Sequence, residues 1–234
     1  MITIKIWSDF ACPFCYIGEK RLDDAIKELG WKDKCEIRYK AFELNPYSTN
    51  SVSGTTAERL AKKYNIPVGE AENRINDINS QARSVGIDMR FDSVKPSNTF
   101  DAHRLMKLAE AKYNDDVVNK LNTALFYAYF TENLDISDYK VLLKIGVESG
   151  LKEDDIKELL NGKEFTPEVR TNEQEASALG VRGVPYLVFN DKYAVPGAVS
   201  IDDFKRVLEK VFDEQSIEKI AEKAKACDEN GCAL

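Results

Sequence analysis

Cys12 and Cys15 are separated by Pro13 and Phe14, a spacing that lets two thiols close into a disulfide within one turn of helix. In disulfide exchange the thiolate, not the thiol, is the nucleophile, so the chemistry depends on what surrounds the pair. Before it, Ile2, Ile4 and Ile6 alternate with polar or charged residues and Trp7 follows, which predicts a strand over 1–8. After it, Ile17, Leu22, Ala25, Ile26 and Leu29 recur at helical spacing up to Gly30, which predicts a helix over 12–29. Cys12 then falls in the first turn of that helix, where unpaired N–H groups and the helix dipole stabilise an anion. The pattern points to a redox centre. Two buried structural thiols, or half of a zinc site, are the blander readings of the same spacing.

The chain has 234 residues and five cysteines. Its first residues, Met1 to Lys5, lack the basic and apolar regions of a secretory leader, so a cytoplasmic location is expected and a structural disulfide framework is not. Cys227 and Cys232, with Gly231 between them, form a second candidate redox pair; a passive disulfide or a metal-holding tail are its alternatives. Cys35 reads as a small buried apolar residue. Asp9, three residues before Cys12, is a proton relay or a helix cap; a carboxylate so close to Cys12 disfavours the thiolate. His103, the single histidine, falls mid-helix and is expected to pack beneath the site as a neighbour, with a catalytic base as the alternative. No metal site is assigned. The formal charge is −7, with no lysine or arginine run, which argues against nucleic acid and anionic membranes as partners. No apolar run approaches the ~20 residues needed to span a bilayer.

Cys35 to Phe42 alternates as a second strand, and strand–helix–strand makes a βαβ unit with parallel strands and a right-handed crossover. A polar loop over 47–55 follows. Residues 56–180 then read as almost wholly helical, in segments opened by Thr56, Pro67, Ser97 or Asn98, Asp115 or Asp116, Ser137, Lys152 and Thr166. In the fourth of these, Phe126, Tyr127, Tyr129 and Phe130 are core or, less simply, a substrate groove. Tyr186 to Phe189 and Tyr193 to Val195 form a hairpin. A helix with Phe204, Val207, Leu208, Val211 and Phe212 follows Ser200, and a separate, more charged helix is expected over 216–226. The order is βαβ, helices, then ββα. It predicts an α/β thioredoxin fold, a mixed four-stranded sheet with a large all-helical insertion. The expected division is 1–46 and 165–215 for the thioredoxin-like part, 47–164 for the insertion, and 216–234 for a terminal helix and cysteine tail.

Trp7-Ser8-Asp9-Phe10-Ala11-Cys12-Pro13-Phe14-Cys15-Tyr16-Ile17-Gly18 resembles the active-site segment of DsbA-like thioredoxin proteins, in particular their FrnE-like branch. Phe42–Pro46, Asn98–Arg104, Leu179–Pro185 and the Cys227/Cys232 pair match the same branch, so the likeness spans nearly the whole chain. It implies a thiol–disulfide oxidoreductase or isomerase acting on protein or peptide disulfides. It also implies a cis Val184–Pro185 bond, with the backbone of Val184 offered to an extended substrate. Cys12 is then the nucleophile and Cys15 the resolving thiol, with Pro13 and Phe14 tuning the pair. In the strongly oxidising DsbA the second spacer residue is histidine. Phe14 cannot donate a hydrogen bond to the Cys12 thiolate, which implies a more reducing or isomerase-like poise. No bound cofactor is expected; glutathione or a thioredoxin-system reductant is the expected electron partner, and the chain a monomer or homodimer. Two other functions fit the layout. One is a glutathione-dependent isomerase or transferase, similar in layout to 2-hydroxychromene-2-carboxylate isomerase and kappa-class glutathione transferase. The other is a peptide-binding chaperone.

Overall fold

The computed structural model describes residues 1–49 and 53–230, with backbone alone from 217 onward. Part of the expected 47–55 loop thus lies outside the described residues. The elements are β1 (Ile2–Ser8), α1 (Pro13–Glu28), β2 (Cys35–Ala41), α2 (Thr56–Tyr64), α3 (Val68–Ser84), α4 (Phe100–Lys112), α5 (Asp115–Phe130), α6 (Tyr139–Ser149), α7 (Glu153–Asn161), α8 (Thr166–Ala178), β3 (Tyr186–Phe189), β4 (Tyr193–Pro196) and α9 (Ile201–Asn230). The strands form one sheet in the order β2-β1-β3-β4. β1 and β2 run parallel, from Ile2 opposite Cys35 to Ser8 opposite Ala41. β3 runs antiparallel to β1, and β4 antiparallel to β3. This is the thioredoxin fold, with a block of helices between β2 and β3.

Alternation along β1 decides what each face meets, because successive side chains point to opposite sides. Ile2, Ile4 and Ile6 bury into a core with Leu22, Ala25 and Ile26 of α1 and Phe204, Leu208 and Val211 of α9. Ser8 continues that register and so also faces α1. Trp7 points the other way, against Ala176 of α8, and its indole N–H donates to the Asn172 carbonyl at 2.9 Å. Asn172 in turn accepts the Ala41 N–H through its side chain, tying α8 to the end of β2.

The helical block has its own core, and Phe10, Cys12, Cys15 and Ile17 belong to it. The cysteine pair therefore lies on the seam between two hydrophobic cores. Phe126, Tyr129 and Phe130 are buried there, and Tyr16 stacks on Phe126 at 5.0 Å with nearly parallel rings. Of the aromatic cluster of α5, Phe126 and Phe130 are core, Tyr129 is buried but lines a cleft, and Tyr127 is exposed.

One expected break is missing. α9 runs without interruption from Ile201 to Asn230, where two helices were predicted. No glycine or proline interrupts those residues, so nothing stops the helix. Ser216, the expected start of a separate helix, instead donates its hydroxyl to the Phe212 carbonyl one turn back. Cys227 thus lies in helix α9, while Gly231 and Cys232 lie outside the described residues. Among the described residues, no helix is long and apolar enough to cross a membrane.

Candidate active site

Residues 9–12 make the tight turn that delivers the chain from β1 into α1: the Cys12 N–H donates to the Asp9 carbonyl at 2.9 Å. Cys12 is the N-cap of α1 and Pro13 its first residue, a position where the missing proline N–H costs nothing. Cys15 follows one turn in, its N–H on the Cys12 carbonyl at 3.1 Å. The two thiols are not joined. They differ in access: Cys12 is 5% exposed and Cys15 0%.

Far along the chain, the loop before β3 folds back onto Cys12. The Val184–Pro185 bond is cis, and the Cys12 thiol donates to the Val184 carbonyl at 3.4 Å. The loop is held on two sides. Gly197 donates its N–H to the Pro185 carbonyl at 2.8 Å. Gly18 of α1 lies so close beneath that a Cβ there would stand 3.1 Å from Ala198 Cβ and 3.3 Å from Pro185 Cγ. A cleft of about 780 Å³ opens in front of Cys12; Asp9, Phe14, Leu44, Tyr129 and Val184 are among its lining residues. Phe14 and Leu44 are exposed in this lining, beside exposed Asn45, Lys63, Arg74 and Asp77.

Asp9 does not cap α1. Its buried carboxylate accepts the Ala11 N–H at 3.1 Å and the Leu44 N–H at 2.7 Å, bracing the turn against the loop after β2. His103 of α4 is buried behind it. Its ring lies 5.0 Å from that of Phe10, and its Nε2, 3.7 Å from Asp9 Oδ1, has no hydrogen-bond partner among the described residues. The structure therefore brings Asp9, Cys12, Pro13, Phe14, Cys15, His103, Val184 and Pro185 together. Cys35 is half-buried on β2, and burial pushes its thiol up to about 11.

Three residues that the sequence reading did not single out lie on the Cys15 side. The Ser8 hydroxyl donates to Glu19 Oε1 at 2.5 Å. Asn122 of α5 donates to Glu19 Oε2 at 2.6 Å. Glu19 keeps some surface as a residue, but its carboxyl is turned inward between buried Ser8 and Asn122. That burial raises it to about 7, against the pull of its two hydrogen bonds. Burial also drives the Cys15 thiol well above its ordinary range, reinforced by Cys12 and by the charge of Glu19; the Ser8 hydrogen bond opposes this. A signal was present: Glu19 follows Cys15 by four residues on the inward stripe of α1, and Ser8 ends the run Ile2, Ile4, Ile6. Nothing in the sequence pairs Asn122 with them.

A pair of thiols at a helix N terminus, the first less buried than the second, thus faces a proline loop on a thioredoxin fold. Residues 3–209 match the DSBA-like thioredoxin domain, and the chain belongs to that family of oxidoreductases. It is 27% identical over 219 residues to the uncharacterized protein YwbO of Bacillus subtilis, covering 92% of this chain and 98% of that one. It is similar to a crystal structure of a probable DsbA oxidoreductase from Streptomyces coelicolor, at 29% identity and a TM-score of 0.84, covering 92% and 91% of the two chains. The cytosolic disulfide reductase DsbM of Pseudomonas aeruginosa, solved with GSH, shares the fold at 17% identity and a TM-score of 0.64, covering 90% of this chain and 99% of that one.

Proposed function

We propose that the protein exchanges disulfides with protein or peptide substrates through a mixed disulfide on Cys12. The observation that carries this reading is the Cys12 thiol on the Val184 carbonyl, beside an open cleft. Once a substrate segment lies along Val184, its sulfur can be brought next to Cys12, the thiol that faces the cleft. Cys12 attacks one substrate sulfur; the other leaves with the electron pair. Cys15 then attacks Cys12, the Cys12–substrate bond breaks, and the substrate is released as a thiol while Cys12 and Cys15 become the disulfide. Run backwards, the same steps oxidise a substrate dithiol. Glutathione or a thioredoxin-type reductant returns the pair to its thiol state.

Cys15→Ser should trap the intermediate. We expect the adduct on Cys12 to form about tenfold or more faster with a disulfide-linked peptide than with glutathione disulfide, read by acid quench and mass spectrometry. A preference for glutathione would transfer the reading to a glutathione-dependent enzyme. A Cys12→Ala/Cys15→Ala protein that keeps full function would make it a peptide-holding chaperone.

A further inference from the structure

Backbone pairing at Val184 reads a substrate's main chain, so any choice among substrates falls to side chains elsewhere in the cleft. Arg59 and Lys63 of α2 line that cleft. Arg59, half-buried, donates from Nη1 to the Gly54 carbonyl at 2.6 Å, and from Nη2 to the Thr56 hydroxyl at 2.8 Å and the Val94 carbonyl at 2.6 Å. All three acceptors are neutral. Its Nε–H and second Nη1–H, like the ammonium of Lys63 one turn further along α2, meet no carboxylate among the described residues. Ser97, three residues past Val94, lines the same cleft and is 2% exposed, and its hydroxyl has no hydrogen-bond partner among the described residues. Thr99, the N-cap of α4, lines it too; a threonine there ordinarily caps the helix, but its hydroxyl makes no capping bond. A buried hydroxyl unpaired within the fold is free to bond a ligand.

We propose that Arg59, Lys63 and Ser97 form a carboxylate subsite that selects substrate peptides bearing an aspartate or glutamate near the reacting cysteine. The inference rests on the reading above, in which Cys12 carries the substrate. A carboxylate fits this set of donors. The guanidinium offers it charge-assisted hydrogen bonds, the Ser97 hydroxyl a further donor, and the Lys63 ammonium a mobile second charge. The start of α4, at Thr99, adds the partial positive charge of a helix N terminus.

The other charges of the cleft do not cancel these. Arg74 of α3 is matched by Glu70 at 2.7 Å, and both it and Lys63 lie over the exposed Tyr64 ring. Asp9 is buried, and its oxygens accept the Ala11 and Leu44 N–H groups. That leaves Asp77, exposed on α3, against Arg59 and Lys63. The whole chain carries −7, so a cationic patch beside the thiol runs against its general trend. The buried Tyr129 hydroxyl links the patch to the turn that holds Cys12. Burial raises it, the charge of Asp9 adds to the rise, and the charge of Arg59 opposes it. Tyr129 thus stands within the field of both the subsite and the Cys12 turn.

The test uses full-length Cys15→Ser protein, which holds the Cys12 adduct, and disulfide-linked peptide dimers blocked at both ends. The dimers come in pairs that differ only as glutamate against glutamine, with that residue moved along the peptide on either side of the cysteine. Adduct formation is followed by acid quench and mass spectrometry, and the glutamate-to-glutamine ratio of rates is compared. At a favoured position glutamate should react about tenfold or more faster, and raising the salt should lower the ratio by screening the charge. Arg59→Gln and Ser97→Ala, each added to this protein, should lower the ratio by about threefold or more; Lys63→Glu should lower it as well. A residue serving only to hold the fold would slow both members of a pair alike and leave the ratio in place. Arg59 also ties α2 to Val94, so should Arg59→Gln fail to fold, Ser97→Ala and exposed Lys63→Glu decide. A ratio within about twofold of unity at every position, or one equal preference wherever the glutamate stands, which is long-range steering, overturns the subsite alone. Absence of a Cys12 adduct with every dimer overturns the proposed function and the subsite with it.

Discussion

Cys12 and Cys15 share one turn of α1 but face two different regions of the molecule. On the Cys12 side the partners are backbone groups: the thiol meets the Val184 carbonyl, and Asp9 is held by the N–H groups of Ala11 and Leu44. A cleft of about 780 Å³ lies in front. On the Cys15 side the thiol is sealed, and Ser8, Glu19 and Asn122 are joined to one another by side-chain hydrogen bonds. On the proposed function, the difference separates two tasks. Docking extended substrates of varied sequence calls for backbone groups, which read a main chain and not its side chains. Resolving a mixed disulfide calls for a second thiol that only the bond on Cys12 can meet.

The comparison is broken most severely at the cysteines themselves. Cys12→Ser should lower peptide-disulfide turnover by about 1000-fold or more, whereas Cys15→Ser should keep the first attack and accumulate the adduct; equal behaviour of the two variants in a quenched time course would erase the distinction between the two sides. The next largest effect is on stability. The Glu19 carboxyl sits at about 7 when folded and at 4.5 ordinarily, so the folded chain holds that proton to higher pH than the unfolded one. Unfolding free energy should therefore fall as pH rises from about 4.5 to about 7, by about 3 kcal/mol at most given the residue's partial exposure. Glu19→Gln should remove this part of the slope in urea titrations at pH 5 and 8; parallel pH dependences of variant and wild type would count against it.

Gly18→Val tests the seat of the proline loop. The added atoms meet Ala198 and Pro185 in a packed seam, for a loss of about 1–3 kcal/mol, and an unchanged urea midpoint would show that the loop can move aside. The smallest expected change is at the rim. Phe14 is 38% exposed beside Cys12, and Phe14→His would add a hydrogen-bond donor for the thiolate. That stabilises the reduced pair, so its potential should move in the oxidising direction by about 30 mV. A move in the reducing direction, measured against a glutathione redox buffer, would separate the spacer from control of the pair.

Much of this was legible before any coordinates. The period-two run Ile2, Ile4, Ile6 and the helical recurrence from Ile17 to Leu29 set Cys12 at a strand–helix joint, because periodicity is a local property that the chain carries wherever it folds. Strand and helix types were equally legible at both ends of the chain. The break expected near Ser216 was not real: a charged stretch looks like a boundary, yet without glycine or proline it continues a helix that already has its hydrogen bonds. Asp9 was misread as a possible cap for a related reason. Its distance from Cys12 along the chain suits a cap, but the tight turn over 9–12 directs its carboxylate to Leu44, a residue from another loop.

The residues and their spacing determined by themselves that this chain holds a thiol pair at a helix start on a thioredoxin-like frame. They could do so because each of those features depends on neighbours within a few residues. Only the tertiary structure decided what the two thiols face. Val184 reaches Cys12, and Asn122 reaches Glu19, across more than a hundred intervening residues, and contacts of that kind are set by how sheet and helical block pack, which no local pattern records.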